Sequence, residues 1–174
     1  MRKHNIQKGF TLIELLIVIG IIGVLAAAVL VALNPLEQFA RGRDTGRTNT
    51  IDQLGKAAQS YATSQNSVFP PQGATWLTTL QTAAELKSVP ANPTTPGYTT
   101  GCYTAGVAQN GICYQTNGTN SIIYMRAESS ALRIRGACTA AQVVWIVWST
   151  AEGKTGVACT TTNTDPAVGI TGLR

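Results

Sequence analysis

Histidine is almost missing from this chain of 174 residues: the single one, His4, stands in the first nine. Removal of that head would leave no Ser-His or Cys-His pair and no histidine-ligated metal. Charge is sparse, at 12% of residues, and the acids are scattered, with no Asp-x-Asp-x-Asp calcium loop. Glu152 and Asp165 are too isolated to suggest a cation site. Gly153-Lys154-Thr155 lacks the upstream glycine spacing of a phosphate-cradling loop. The four cysteines include no Cys-x-x-Cys pair, which argues against a zinc ribbon or a redox motif. Neither an enzyme nor a bound cofactor or metal is expected, carboxylate-only catalysis being the one formal alternative.

What the chain has is one long apolar run. Phe10 to Leu33 is 24 residues, free of charge except at Glu14, and long enough to cross a bilayer as a helix. An unpaired carboxylate in hydrocarbon costs a few kcal/mol on insertion scales, so an acid there asks for a partner and a function. The order of parts is also unusual. A secretory signal carries its cleavage site after the apolar region; here the short basic head Met1–Gly9 ends in a small residue before that region begins. Gly20, Gly23 and Ala26-Ala27-Ala28 give the run a small-residue stretch, including the pair Gly23 and Ala27, that permits close helix approach. Gly and Ala are common in any membrane helix; beside an intramembrane acid they favour a helix that packs on copies of itself.

The sequence Gly9-Phe10-Thr11-Leu12-Ile13-Glu14-Leu15 resembles the class III signal of type IV pilins and pseudopilins. The resemblance covers about the first 70 residues, and its specificity lies in the first 15. It implies cleavage after Gly9 by a membrane-embedded prepilin peptidase and N-methylation of Phe10. Cleavage would leave a cationic amine on Phe10 at the end of an apolar helix. A buried charge is tolerated when paired, and Glu14 supplies the opposite sign, more plausibly to the Phe10 amine of a neighbouring subunit than to its own. The family further implies a homopolymer through N-terminal helices, added at a membrane assembly platform with its ATPase. The bland alternative is a signal anchor with a stray glutamate.

Three of the 13 basic side chains (Arg2, Lys3, Lys8) lie in the head, so cleavage would leave 10 against 8 acids and the formal +5 would fall to +2. The pI of 9.2 therefore overstates how basic the working chain is. Basic residues before the span and none after it until Arg41 put the head in the cytoplasm and the bulk outside. The expected organisation is a leader over 1–9, a membrane-spanning polymerisation helix over 10–34, an amphipathic helix over 35–66 and a globular head over 67–174. The expected fold class is α+β, with a long N-terminal helix packed on an antiparallel sheet. The inner membrane is the expected site of the precursor and an extracellular filament that of the assembled chain.

Asn34-Pro35 should interrupt the helix, since proline removes a donor and clashes with the carbonyl four residues back. The family resemblance implies a bend or local melting over roughly Leu33 to Gln38. Gly42 and Gly46 weaken the helix further, by up to ~1 kcal/mol each against Ala. Ile51, Leu54, Ala58 and Tyr61 then form one apolar stripe, with Asp52 and Lys56 as an i,i+4 pair. The charged run Ala40–Arg47 reads as a solvated helix face, with a subunit contact as the sharper alternative. Phe69-Pro70-Pro71 stops the helix. A short helix from Trp76 to Leu86 and an irregular proline loop, Val89–Gly97, should follow.

Beyond these, Ser121–Glu128 and Ala131–Arg135 read as strands of a hairpin turned at Ser129-Ser130. Gln142–Ser149 is the strongest strand, Glu152–Gly156 a turn, and Val157–Cys159 a return. A sheet of three to five strands is expected, its aromatics serving as core. Cys102, Cys113, Cys138 and Cys159 read as two disulfides. Of three connectivities, Cys102–Cys113 and Cys138–Cys159 are favoured, because the first pair flanks one Gly-rich loop and the second brackets one hairpin. Asn117-Gly118-Thr119 is a glycosylation sequon by pattern only, and the scattered arginines form no nucleic-acid stripe. The leading functional reading is a pilus-like structural subunit. A pseudopilin of a secretion or DNA-uptake machine is the nearest alternative, and a membrane-anchored binding protein or enzyme a different class.

Overall fold

The computed structural model describes residues 9–91, 101–103 and 105–174. Two compact units divide after Gln38, Met1–Gln38 and Phe39–Arg174. In the first, helix α1 runs over Leu12–Leu33 with none of its residues buried. Asn34 closes it in the left-handed region at φ 41°, where Asn is among the tolerated residues. Helix α2, Pro35–Ser64, restarts at once; proline is at home in a first helical turn because its missing N–H has no intrahelical partner there. Gly42 and Gly46 do not break it.

In the second unit, α2 lays Ile51, Leu54 and Ala58 on a sheet, all at 1% exposure or less. The fit depends on Gly55: a Cβ there would lie 2.3 Å from the Trp148 ring. Asp52 and Lys56 pair at 2.6 Å on the outer side. Helix α3 spans Trp76–Thr82, ending before the Leu86 that the sequence suggested; Ala84 turns left-handed (φ 61°) just after it. Of the proline loop, Val89–Ala91 has no regular structure, and Asn92–Gly97 lie outside the described residues, as does the head Met1–Lys8.

Five strands follow: β1 (Val107–Gln109), β2 (Ile112–Thr116), β3 (Ser121–Arg126), β4 (Val143–Ser149) and β5 (Lys154–Thr160). They form one antiparallel meander in chain order. A helix, α4 (Ser130–Gly136), sits between β3 and β4. This corrects the expected hairpin, since Ala131–Arg135 is helical and not a strand. Ser129 is an N-cap, its hydroxyl accepting the Leu132 N–H, and Ala137 closes the helix in the left-handed region. A strand would turn Leu132 and Ile134 to one face; in the helix Leu132 packs on the core while Ile134 is 77% exposed. The turn before β5 falls at Thr150–Gly153, so Lys154–Gly156 belong to the strand. Strands β1 and β2 have no counterpart in the sequence reading.

The sheet is buried on both faces. Ile123, Met125, Ile146 and Trp148 meet α2 and α3, with Trp76 stacked on Tyr114 at 4.6 Å. Ile122, Tyr124, Trp145 and Val147 form a second core under the C-terminal segment, where Leu173 is 6% exposed. Burial pushes the Tyr114 and Tyr124 hydroxyls to higher pKa. Two disulfides tie the head, Cys102–Cys113 and Cys138–Cys159, with Cα separations of 5.7 and 5.6 Å.

Candidate assembly site at the N-terminal helix

The first turn of α1 carries a complete capping box. Thr11 has extended backbone, and its hydroxyl oxygen accepts the Glu14 N–H at 3.3 Å. In return Glu14 Oε2 accepts the Thr11 N–H at 2.9 Å and the Thr11 hydroxyl at 2.8 Å. A carboxylate at a helix N-terminus also meets the positive end of the helix dipole. Glu14 is therefore held against its own helix, which the sequence reading, concerned with a partner in another subunit, did not anticipate. Both bonds fall on Oε2, so one carboxylate oxygen anchors the side chain and Oε1 can meet a cation. Gly9 and Phe10 precede the cap, and Phe10 is 87% exposed.

Beyond the cap, α1 exposes one large apolar side chain after another: Leu12, Ile13, Leu15, Ile22, Val24 and Leu30 are each more than half exposed. Its mean hydropathy reaches 3.1, high enough to cross a membrane. At about 1.5 Å per residue its 22 residues extend roughly 33 Å, against a hydrocarbon core of about 30 Å. A Cβ on Gly20 or Gly23 would meet nothing within 4 Å, so these glycines leave bare notches on an uncovered surface.

The head holds a cluster that the sequence reading put in solvent. Asp44 and Arg47, expected on a solvated face, are 2% and 5% exposed. The Asp44 carboxylate accepts the Glu128 N–H (3.1 Å) and the Ser129 N–H (2.7 Å), and Arg47 Nη1 donates to it at 2.8 Å. Glu128 in turn accepts from Arg47 Nη2 and from Arg43 Nη2, the latter at 2.6 Å. Burial works to raise the Glu128 pKa, but the hydrogen bonds from Arg43 and Arg47 outweigh it and hold the carboxyl below its ordinary value. The correction has a physical cause: the β3–α4 link presents two backbone N–H groups that need an acceptor, and Asp44 is opposite. The i,i+3 spacing of Asp44 and Arg47 was the available signal. Elsewhere Asp165 accepts the Tyr103, Ala105 and Gly106 N–H groups, a structural role for a residue considered only for cations. Among the described residues no group of three or more His, Cys, Asp or Glu could hold a metal.

The chain thus combines a glycine-phenylalanine boundary, a capped and uncovered apolar helix with an acid in its first turn, and a disulfide-tied α+β head. Residues 4–30 match the prokaryotic N-terminal methylation motif. Over 87 residues, 50% of this chain, the sequence is 41% identical to the type IV wide pilus major component PilA4 of Thermus thermophilus. The match spans 60% of that relative's length. No solved structure matches the chain.

Proposed function

We propose that this chain is the structural subunit of a type IV pilus-like surface filament. In this reading it enters the membrane by α1 with residues 1–9 in the cytoplasm. A prepilin peptidase cuts after Gly9 and methylates Phe10, and the subunit joins a homopolymer by helix packing at a membrane platform driven by an ATPase. The observation that carries the reading is α1 itself: an acid-bearing apolar helix whose every residue is uncovered. A bilayer covers such a surface in the precursor, and copies of the same helix cover it in a filament. Glu14, fixed through Oε2, then offers its charge to the Phe10 amine of the next subunit, which settles two charges that would otherwise lie unpaired in a low dielectric.

Intact-mass measurement of the cell-derived protein tests this. The expected chain begins at N-methylated Phe10, and Gly9→Val accumulates as an uncut membrane-held precursor. A mature N-terminus at Met1, or beyond Leu33, overturns the reading.

A further inference from the structure

Charge is not spread evenly over the head. From Phe39 to Arg174 the sequence carries ten basic and six acidic side chains, an excess of four. All of that excess lies in two stretches: Arg41, Arg43 and Arg47 with Asp44, and Arg126, Arg133 and Arg135 with Glu128. Elsewhere Lys56, Lys87, Lys154 and Arg174 balance Asp52, Glu85, Glu152 and Asp165, four against four. The cations also differ in kind, since both stretches use arginine alone and every lysine of the head lies outside them.

The fold brings the two stretches together. The Ser129 N–H donates to Asp44 at 2.7 Å and Arg43 Nη2 to Glu128 at 2.6 Å. Helix α4 starts at that junction, so Arg133, Ile134 and Arg135 belong to the same end of the head. Even with Glu37 counted, one turn before Arg41, three positive charges remain in excess there. Arg135 is exposed, and Ile134 beside it is a large apolar side chain left 77% exposed. Two features point to lipid as the partner. A second copy has no acidic surplus to offer, because the rest of its head is balanced, whereas a bilayer presents phosphate. Chain length also keeps that bilayer in range: only Asn34–Gln38 separate the last residue of α1 from Phe39, and such a stretch reaches at most about 18 Å fully extended. Arginine grips phosphate through a planar fork that lysine lacks, and apolar side chains among basic ones enter the headgroup boundary. We propose that this arginine-rich end of the head, through Arg135 and Ile134, docks on the anionic phospholipid surface of the membrane that α1 spans. The docking rests on the reading of α1 as a span. It holds the head of an unassembled subunit at the bilayer, and the contact is given up when the chain leaves the lipid.

Amide hydrogen exchange followed by mass spectrometry, on the full chain in lipid nanodiscs, tests the docking. One set of discs is phosphatidylcholine, the other an equal mixture of phosphatidylcholine and phosphatidylglycerol. Amides 39–47 and 130–137 should exchange about fivefold more slowly on the anionic discs. The difference should fall away at about 1 M salt, where charges are screened beyond about 3 Å, and β4 should exchange equally on both. Arg135→Gln and Ile134→Ser, both at exposed positions, should each remove most of the difference while β3 and β4 stay protected. Should either substitution unfold the head, shown by lost protection in β3 and β4, the lipid and salt comparison on the unaltered chain decides alone. Amides of α1 that exchange freely in both discs would overturn the span, and the docking with it. Protected α1 amides, with equal exchange at 39–47 and 130–137 on the two discs, would overturn the docking alone. So would a slowing that duplex DNA produces and anionic lipid does not.

Discussion

Two uninterrupted apolar runs, one in α1 and one in β4, meet opposite fates in this molecule. The 22 residues of α1 are all exposed, whereas β4, Val-Val-Trp-Ile-Val-Trp-Ser, is buried along all but its first residue. Residue type separates them first. β4 is β-branched and aromatic, suited to a pleated strand, and its length is that of a strand between two layers. α1 shares the β-branched residues but has no aromatic, adds Leu, Ala and two glycines, and at 22 residues is three times as long as the seven of β4. Partners separate them next. β4 packs against α2 and α3 on one face and the C-terminal segment on the other; no residue of α1 is buried. The head is a finished structure and the helix an unfinished one.

The largest test of that contrast is at Glu14. If its charge is settled only between subunits, Glu14→Gln removes half of a buried pair, a change that typically costs ~3–5 kcal/mol. The chain should still insert, be cut after Gly9 and fold its head, while filaments become absent or scarce by electron microscopy. Normal filament number in Glu14→Gln cells would show that assembly does not depend on the charge.

Reduction of the disulfides should do the reverse, loosening the head and leaving α1 helical. Loops closed by bonds 11 and 21 residues apart are worth about 3 kcal/mol each in the chain-entropy model. Urea unfolding with and without reductant, followed by tryptophan fluorescence, measures the loss, since Trp76, Trp145 and Trp148 are all within 1% of full burial. An unchanged midpoint would mean that the two cores hold the head without the cross-links.

The contrast also accounts for what could be read in advance. Elements with one buried stripe were legible: Ile51, Leu54 and Ala58 recur at helical steps because only one side of α2 is covered. Ala131–Arg135 misled because five residues fit alternation and a helical turn equally well, and Ser129, a turn residue and an N-cap in equal measure, decided for the helix. β1 and β2 carry little pattern, as β1 has three residues and β2 is buried at Gln115 as well as at Ile112. The cover over the second face was illegible for another reason: Leu173 and Ile170 lie in irregular chain, where no period marks them. Asp44 and Arg47 were read by charge alone, and the partner that buries them lies more than 80 residues on. At the N-terminus the acid was legible and its cap was not, since a search for an external partner passes over Thr11.

Smaller effects separate two glycines of α2, Gly55 and Gly46. Gly55→Ala drives a methyl into Trp148 and should destabilise the head by ~1–3 kcal/mol. Gly46→Ala meets open space and should stabilise the chain by up to ~1 kcal/mol. Thermal unfolding of the two variants under one condition checks the opposite signs; equal signs would mean that the helix relaxes around Trp148.

The smallest expected effect is a pH dependence confined to the head. Arg43 and Arg47 hold the Glu128 pKa below its ordinary value against the opposing effect of burial. In the window between the folded and unfolded values the unfolded chain binds more protons than the folded one, so stability rises with pH there. The contribution is complete above the unfolded carboxyl value and is lost as pH falls through the lowered folded one. Asp52, held low chiefly by its hydrogen bond from Lys56, acts in the same direction at a more exposed site. Urea midpoints of the head should therefore fall on acidification below about pH 4.5, and Glu128→Gln should start lower at neutral pH but lose less on the way down. Its curve should converge on that of the unaltered chain in acid, where Glu128 is protonated and carries no more charge than glutamine. Two parallel curves would mean that Glu128 contributes by shape and hydrogen bonding alone, and the acid sensitivity of the head would then belong to its other carboxylates.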